Sequence, residues 1–139
     1  SQKGIYEVKL YPEIKQILEE LLSRGYLLAV ATLKAEYLAI EVLTELDISQ
    51  YFSLIHGMDK EDSLSKSDLI NICIKELNIF KKNCILIGDS IHDAKGAVNA
   101  GIKFIGCTYG FGFDNVSDVV SCGAQFVANY PSDLLKYFK

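Results

Sequence analysis

The chain has 139 residues, 50% of them hydrophobic and 23% charged, with a net charge of −4 at pH 7. That is enough for one domain with a real core, while no apolar run nears the ~20 residues that span a bilayer and no basic run with interleaved aromatics invites nucleic acid. Cys73, Cys84, Cys107 and Cys122 form no Cys-x-x-Cys pair and His56 and His92 are the only histidines, so reduced, buried thiols in a soluble cytoplasmic protein are expected rather than disulfides, zinc or a histidine metal cluster.

Pro12 opens a helical pattern (Ile14, Ile17, Leu18, Leu21, Leu22) that stops at Arg24-Gly25, with proline at the start and glycine past the end. Residues 27–31 are a continuous apolar run, expected as a buried strand. A second helix follows, with Tyr37, Leu38, Val42, Leu43 and Leu46 on one face. Residues 52–55 read as a short strand ending at His56-Gly57, and residues 59–65 as a charged loop. Leu69, Ile72, Cys73, Ile74 and Leu77 mark the next helix. The Cys84 strand leads into a small-residue helix that ends at Ala100-Gly101, and residues 104–107 form another strand. A glycine-rich loop (Tyr109-Gly110-Phe111-Gly112), a weak helix at 116–120, a strand at Phe126-Val127 and a helix from Pro131 complete the chain. Strands alternating with helices predict one α/β domain over residues 1–139, a Rossmann-like parallel sheet covered by helices on both faces.

The stretch richest in chemistry is Cys84-Ile85-Leu86-Ile87-Gly88-Asp89-Ser90-Ile91-His92-Asp93. An apolar strand runs into a glycine, then into two carboxylates four residues apart where a helix begins. Two such carboxylates suit a hard cation such as Mg²⁺, which takes few protein ligands and keeps water or phosphate as the rest. The plainer alternative is a helix start, with Asp89 as cap and Asp93 facing the dipole. In parallel sheets ligands bind beyond the carboxyl ends of the strands. Thr32 and Lys34 follow the strand at 27–31, and Lys66 lies at or just before the start of its helix. Together they form a plausible phosphate cradle. Singly, Thr32 could be a helix cap and both lysines solvated surface cations.

In this order and spacing the motifs resemble the haloacid dehalogenase superfamily of phosphohydrolases, nearest its phosphoglycolate phosphatase-like branch. Ala29-Val30-Ala31-Thr32-Leu33-Lys34 looks like the second motif, Lys66 like the third-motif lysine, and Gly88-Asp89-Ser90-Ile91-His92-Asp93 like the fourth motif. Tyr109-Gly110-Phe111-Gly112 and Gly123-Ala124 also match this branch, and residues 1–11 resemble the linker returning from a cap domain. The resemblance implies Thr32 and Lys66 as catalytic-site groups, with Thr32, Leu33, Lys34 and Lys66 around the phosphoryl group. It also implies Asp89 and Asp93 holding Mg²⁺ and a small phosphorylated metabolite as substrate. Leu33 replaces the usual small polar residue, and Ser67 stands where proline is frequent.

The third departure is larger: no Asp-x-Asp occurs in these 139 residues. In the family that first motif supplies the nucleophile and the general acid/base at the end of a central strand. The expectation is therefore a carboxyl-terminal portion of a phosphatase, inactive by itself. The alternative is a non-catalytic phosphate-binding or regulatory module on the same fold. The absent strand would lie between the strands ending at Thr32 and Asp89, leaving buried backbone groups that cost ~1–3 kcal/mol each if unpaired. Direct pairing of those two strands, or a strand from a second chain or a missing segment, is expected ahead of insertion of residues 5–10, which would bury Glu7 and Lys9.

Overall fold

The computed structural model describes residues 13–109 and 121–139. Expectations for the linker at 1–11, the inserted strand at 5–10, the loop beyond Tyr109 and the helix at 116–120 fall outside those residues. Helix α1 spans Ile14–Ser23 and presents Ile17 and Leu21 to the core at the expected helical spacing. It ends in a double closure, with Gly25 N–H on Leu22 O and Tyr26 N–H on Leu21 O. That closure places Gly25 at φ +92°, a conformation glycine adopts without strain. Strand β1 (Ala29–Ala35) and helix α2 (Glu36–Glu45) follow, then β2 (Leu54–Met58) and α3 (Lys66–Leu77). The remaining elements are β3 (Ile85–Gly88), α4 (Ile91–Ala100), β4 (Lys103–Cys107), β5 (Phe126–Ala128) and a short α5 (Leu134–Tyr137).

All strand pairs are parallel, as the alternation of strands and helices predicts. Ile17 and Leu21 of α1 and Leu134 of α5 pack with Ile105, Cys107 and Ala128. Ala94 and Ala97 of α4 form a separate cluster with Phe104. Each fully buried large aliphatic side chain here contributes roughly 1.5–3 kcal/mol. All four cysteines are free thiols, with Cys73 and Cys107 buried and Cys84 only half-buried. No helix among the described residues is long and apolar enough to cross a membrane.

Three expectations need correction. Leu27 is 56% exposed and the first strand runs from Ala29 to Ala35, so Thr32 and Lys34 lie within β1 instead of after it. On α2 the buried residue is Ala39, while Tyr37 is exposed, because the helix turns its small side chain to the sheet. The third correction concerns the sheet itself. Among the described residues it is divided into β1-β2 and β3-β4-β5, so β1 and β3 do not close directly on each other. Leu28 O accepts from Ser53 N–H beside β2, which by strand alternation turns the Ala31 carbonyl to the other edge. There the Lys66 ammonium donates to Ala31 O at 2.5 Å, so a side chain satisfies the edge group that a neighbouring strand would otherwise take. The strands beside the division are also the less covered: Leu33 and Ile87 are exposed, while four of the five β4 residues are buried.

Candidate active site

Ala29, Val30, Ala31 and Ala35 of β1 pair with Leu54, Ile55, His56 and Met58 of β2, and the register shifts between Ala31 and Ala35. Between them residues 32–34 of β1 face Gly57 alone, so the strand bulges outward where Thr32 lies. Bulges re-aim side chains at the ends of strands. Inside this one the Lys34 N–H donates to Thr32 Oγ1 at 3.1 Å. The hydroxyl oxygen is then an acceptor within the protein, and its own proton is left to donate outward. Leu33, 47% exposed, stands at the rim.

Lys66 is the first residue of α3, and the capping chemistry fixes its position. Ser65 Oγ accepts from the Asp68 N–H at 3.1 Å, and Asp68 Oδ2 accepts from the Ser65 N–H at 2.9 Å. The Ser65 backbone N–H, and after it the Ser65 hydroxyl, hold the Asp68 carboxyl below its ordinary range. A carboxyl with a depressed folded pKa stabilises the fold above the ordinary carboxylate range, and that contribution is lost as pH falls through the depressed value. Ser65→Ala is expected to cost about 1 kcal/mol in urea unfolding and to loosen Lys66.

From that start the Lys66 side chain crosses α4 at Gly96, where an added Cβ would lie 2.5 Å from Lys66 Cγ. Its ammonium then meets both Ala31 O at 2.5 Å and Asp93 Oδ1 at 3.1 Å. Lys66 therefore ties the edge of the β1-β2 sheet to the helix that follows β3. The second Asp93 oxygen accepts from the Asp89 N–H at 3.1 Å. Gly88 permits this fold-back, because a Cβ there would sit 2.5 Å from that carboxylate oxygen. The helix cap is Ser90, whose hydroxyl accepts from the Asp93 N–H, so Asp89 does not serve as the cap. The lysine, the Thr32 bulge and the two aspartates thus share one edge of the fold. Sequence reasoning did not find Gly57 or Gly96, whose roles depend on what passes across them. Gly96→Ala is expected to displace Lys66 from Asp93 at a cost of ~1–3 kcal/mol, visible as a shifted Lys66 side-chain amine resonance.

A family model for haloacid dehalogenase-like hydrolases matches residues 1–107. The chain belongs to the haloacid dehalogenase-like hydrolase family. It is 33% identical to a 5′-nucleotidase from Pseudomonas aeruginosa over 113 residues, covering 81% of this chain and 51% of that protein. It is 29% identical to a phosphoglycolate phosphatase from Vibrio parahaemolyticus over 137 residues, covering 98% of this chain and 59% of the relative. Among solved structures, a haloacid dehalogenase-like family protein from Streptococcus pneumoniae superimposes with a TM-score of 0.84 at 31% identity. That match covers 93% of this chain and 60% of the other. This haloacid dehalogenase-like chain thus spans between half and six-tenths of the relatives it matches.

Proposed function

We propose that this chain carries the phosphate- and metal-binding part of a Mg²⁺-dependent phosphomonoester hydrolase for a small phosphorylated metabolite, of the phosphoglycolate phosphatase type. The observation that carries the reading is the Lys66 ammonium held between Ala31 O and Asp93 Oδ1 beside the Thr32 bulge. The donor set suits the metal. Asp93 is already folded toward Asp89, Asp89 is not consumed by capping, and no group of three or more His, Cys, Asp or Glu able to hold a metal ion gathers among the described residues. Mg²⁺ takes one or two carboxylates and fills its octahedron with water and phosphate oxygens. When bound by Asp89 and Asp93, the ion would supply Lewis-acid stabilisation of the phosphoryl oxygens. Thr32 would donate its hydroxyl proton to a phosphoryl oxygen, and Lys66 would neutralise charge building on the transferring group. Lys34 would hold the Thr32 rotor through its backbone N–H, and Leu33 would border the leaving group.

The nucleophile would lie outside these residues, since no Asp-x-Asp occurs in the 139; it would come from a strand beside the edges of β1 and β3 that no described strand pairs. That same absence is the one observation favouring the second reading, a phosphate-binding or regulatory module. The metal assignment is tested by titrating the chain with Mg²⁺ and following its backbone amides. Millimolar binding centred on residues 88–93, lost in Asp89→Asn, is expected. Unchanged binding in Asp89→Asn and in Asp93→Asn would remove the metal site and the reading with it.

A further inference from the structure

On the side of the bulge away from the aspartates, three ionisable side chains from three elements converge. His56 of β2 points Nδ1 at Glu36 Oε1 of α2, 3.1 Å away, and Nε2 at Glu76 Oε2 of α3. The same Glu36 oxygen accepts from the Gly57 N–H at 3.2 Å. Neutral imidazole has one N–H and one bare lone pair, so it can donate to only one of two carboxylates, and the other pairing sets lone pair against lone pair. The imidazolium donates to both. Only the protonated ring satisfies both carboxylates at once, and the ring is 23% exposed.

Its placement gives this arrangement a consequence. Ala31 pairs with His56 and Ala35 with Met58, so His56 and Met58 are the two fixed points between which residues 32–34 bulge. Glu36 follows Ala35 directly and is bonded back to His56 and Gly57. We propose that His56 is a positioning residue: as an imidazolium between the Glu36 and Glu76 carboxylates it braces the bulge that carries Thr32, and the bulge loosens as His56 loses its proton. This deepens the phosphate reading and rests on it for its functional meaning.

The groups around the ring are few. Glu36 comes from α2 and Glu76 from α3, and the Cys73 thiol lies one turn before Glu76. Burial, then Glu76, pushes that thiol up to about 11, with Lys66 opposing. Cys73 therefore stays neutral over the range in which histidine ordinarily titrates. Sign follows from the pairing: the brace is present at low pH and lost as pH rises through the His56 transition.

The test is an NMR titration of the full chain from about pH 5.5 to 8.5, with inorganic sulfate, whose charge is constant there, as the anion probe. The amides of Thr32, Leu33, Lys34 and Gly57 are expected to move through one transition at the midpoint of the His56 ring. Sulfate binding at the bulge should weaken about two- to fivefold across it, the size of a partly exposed ion-pair effect. His92→Gln should leave the transition in place. In Glu76→Gln, which removes one carboxylate and keeps a hydrogen-bond acceptor, ring and bulge midpoints should fall together. The wild-type and Glu76→Gln data suffice if His56→Gln does not fold. Bulge amides that stay flat while His56 titrates, or that follow His92, would overturn the proposal. Sulfate perturbing no bulge amide at any pH would instead refute the phosphate reading, leaving the brace to the amide titration.

Discussion

Gly57→Ala is expected to be strongly destabilising. A Cβ built at Gly57 lies 2.4 Å from Lys34 O, 2.7 Å from Glu36 Cα and 2.8 Å from Glu36 N. All three are backbone atoms of the segment that closes the bulge and starts α2, so no side-chain rotation relieves the contact. Gly57 is buried, and β2 is held to β1 by ladder pairs on both sides of it, which blocks rigid retreat. Overpacking typically costs 1–3 kcal/mol where side chains can yield, and with backbone on every side a loss of about 3 kcal/mol or more is expected. Urea unfolding measures the loss, and the Thr32 amide reports whether the bulge survives. A change under about 0.5 kcal/mol, ordinary for a surface site, with an unmoved Thr32 amide, would show that the bulge does not depend on this close approach.

Lys66→Met should have the largest effect on anion handling. Methionine keeps the stem that passes Gly96 and removes only the ammonium. Ala31 O then loses its donor and Asp93 Oδ1 its cation. The two side chains are 15% and 18% exposed, so the loss falls below the 3–5 kcal/mol of a fully buried pair, at about 1–3 kcal/mol. Where this chain is joined to the proposed nucleophile, turnover should fall at least ~10²-fold, the usual scale for removing one charge-stabilising donor. Lys66→Arg should not restore it, because the planar guanidinium is a poor substitute for a compact ammonium that meets both Ala31 O and Asp93 Oδ1. Near-normal turnover in Lys66→Met would separate this lysine from the chemistry.

Particular residues show what could be read in the sequence and what could not. Helix α4 was legible because Gly88-Asp89-Ser90 interrupts an apolar run and Gly101 stops the small residues after it. Lys66 at a helix start was legible from the polar loop and the apolar spacing that follows. The order of strands and helices followed from the same punctuation. The bulge was not legible. Residues 27–31 and 52–55 look like ordinary apolar strands, and the three-against-one register exists only once Ala35 finds Met58. The His56 cluster was hidden for a similar reason, since Glu36, His56 and Glu76 are 20 residues apart in sequence at each step. Division of the sheet was expected only as a vacancy to be closed. The described strands do not close it, and Lys66 serves the Ala31 edge.

The proposed function has these residues hold metal and phosphate while the attacking carboxylate lies elsewhere. Its most direct test is phosphomonoester hydrolysis by the purified 139-residue chain with Mg²⁺ and a generic aryl phosphate. No turnover above buffer is expected, because Asp89 and Asp93 would be committed to the metal and no first-motif aspartate is present to be phosphorylated. Hydrolysis by the chain alone that disappears in Asp89→Asn would contradict it, by showing that the nucleophile is already among these residues.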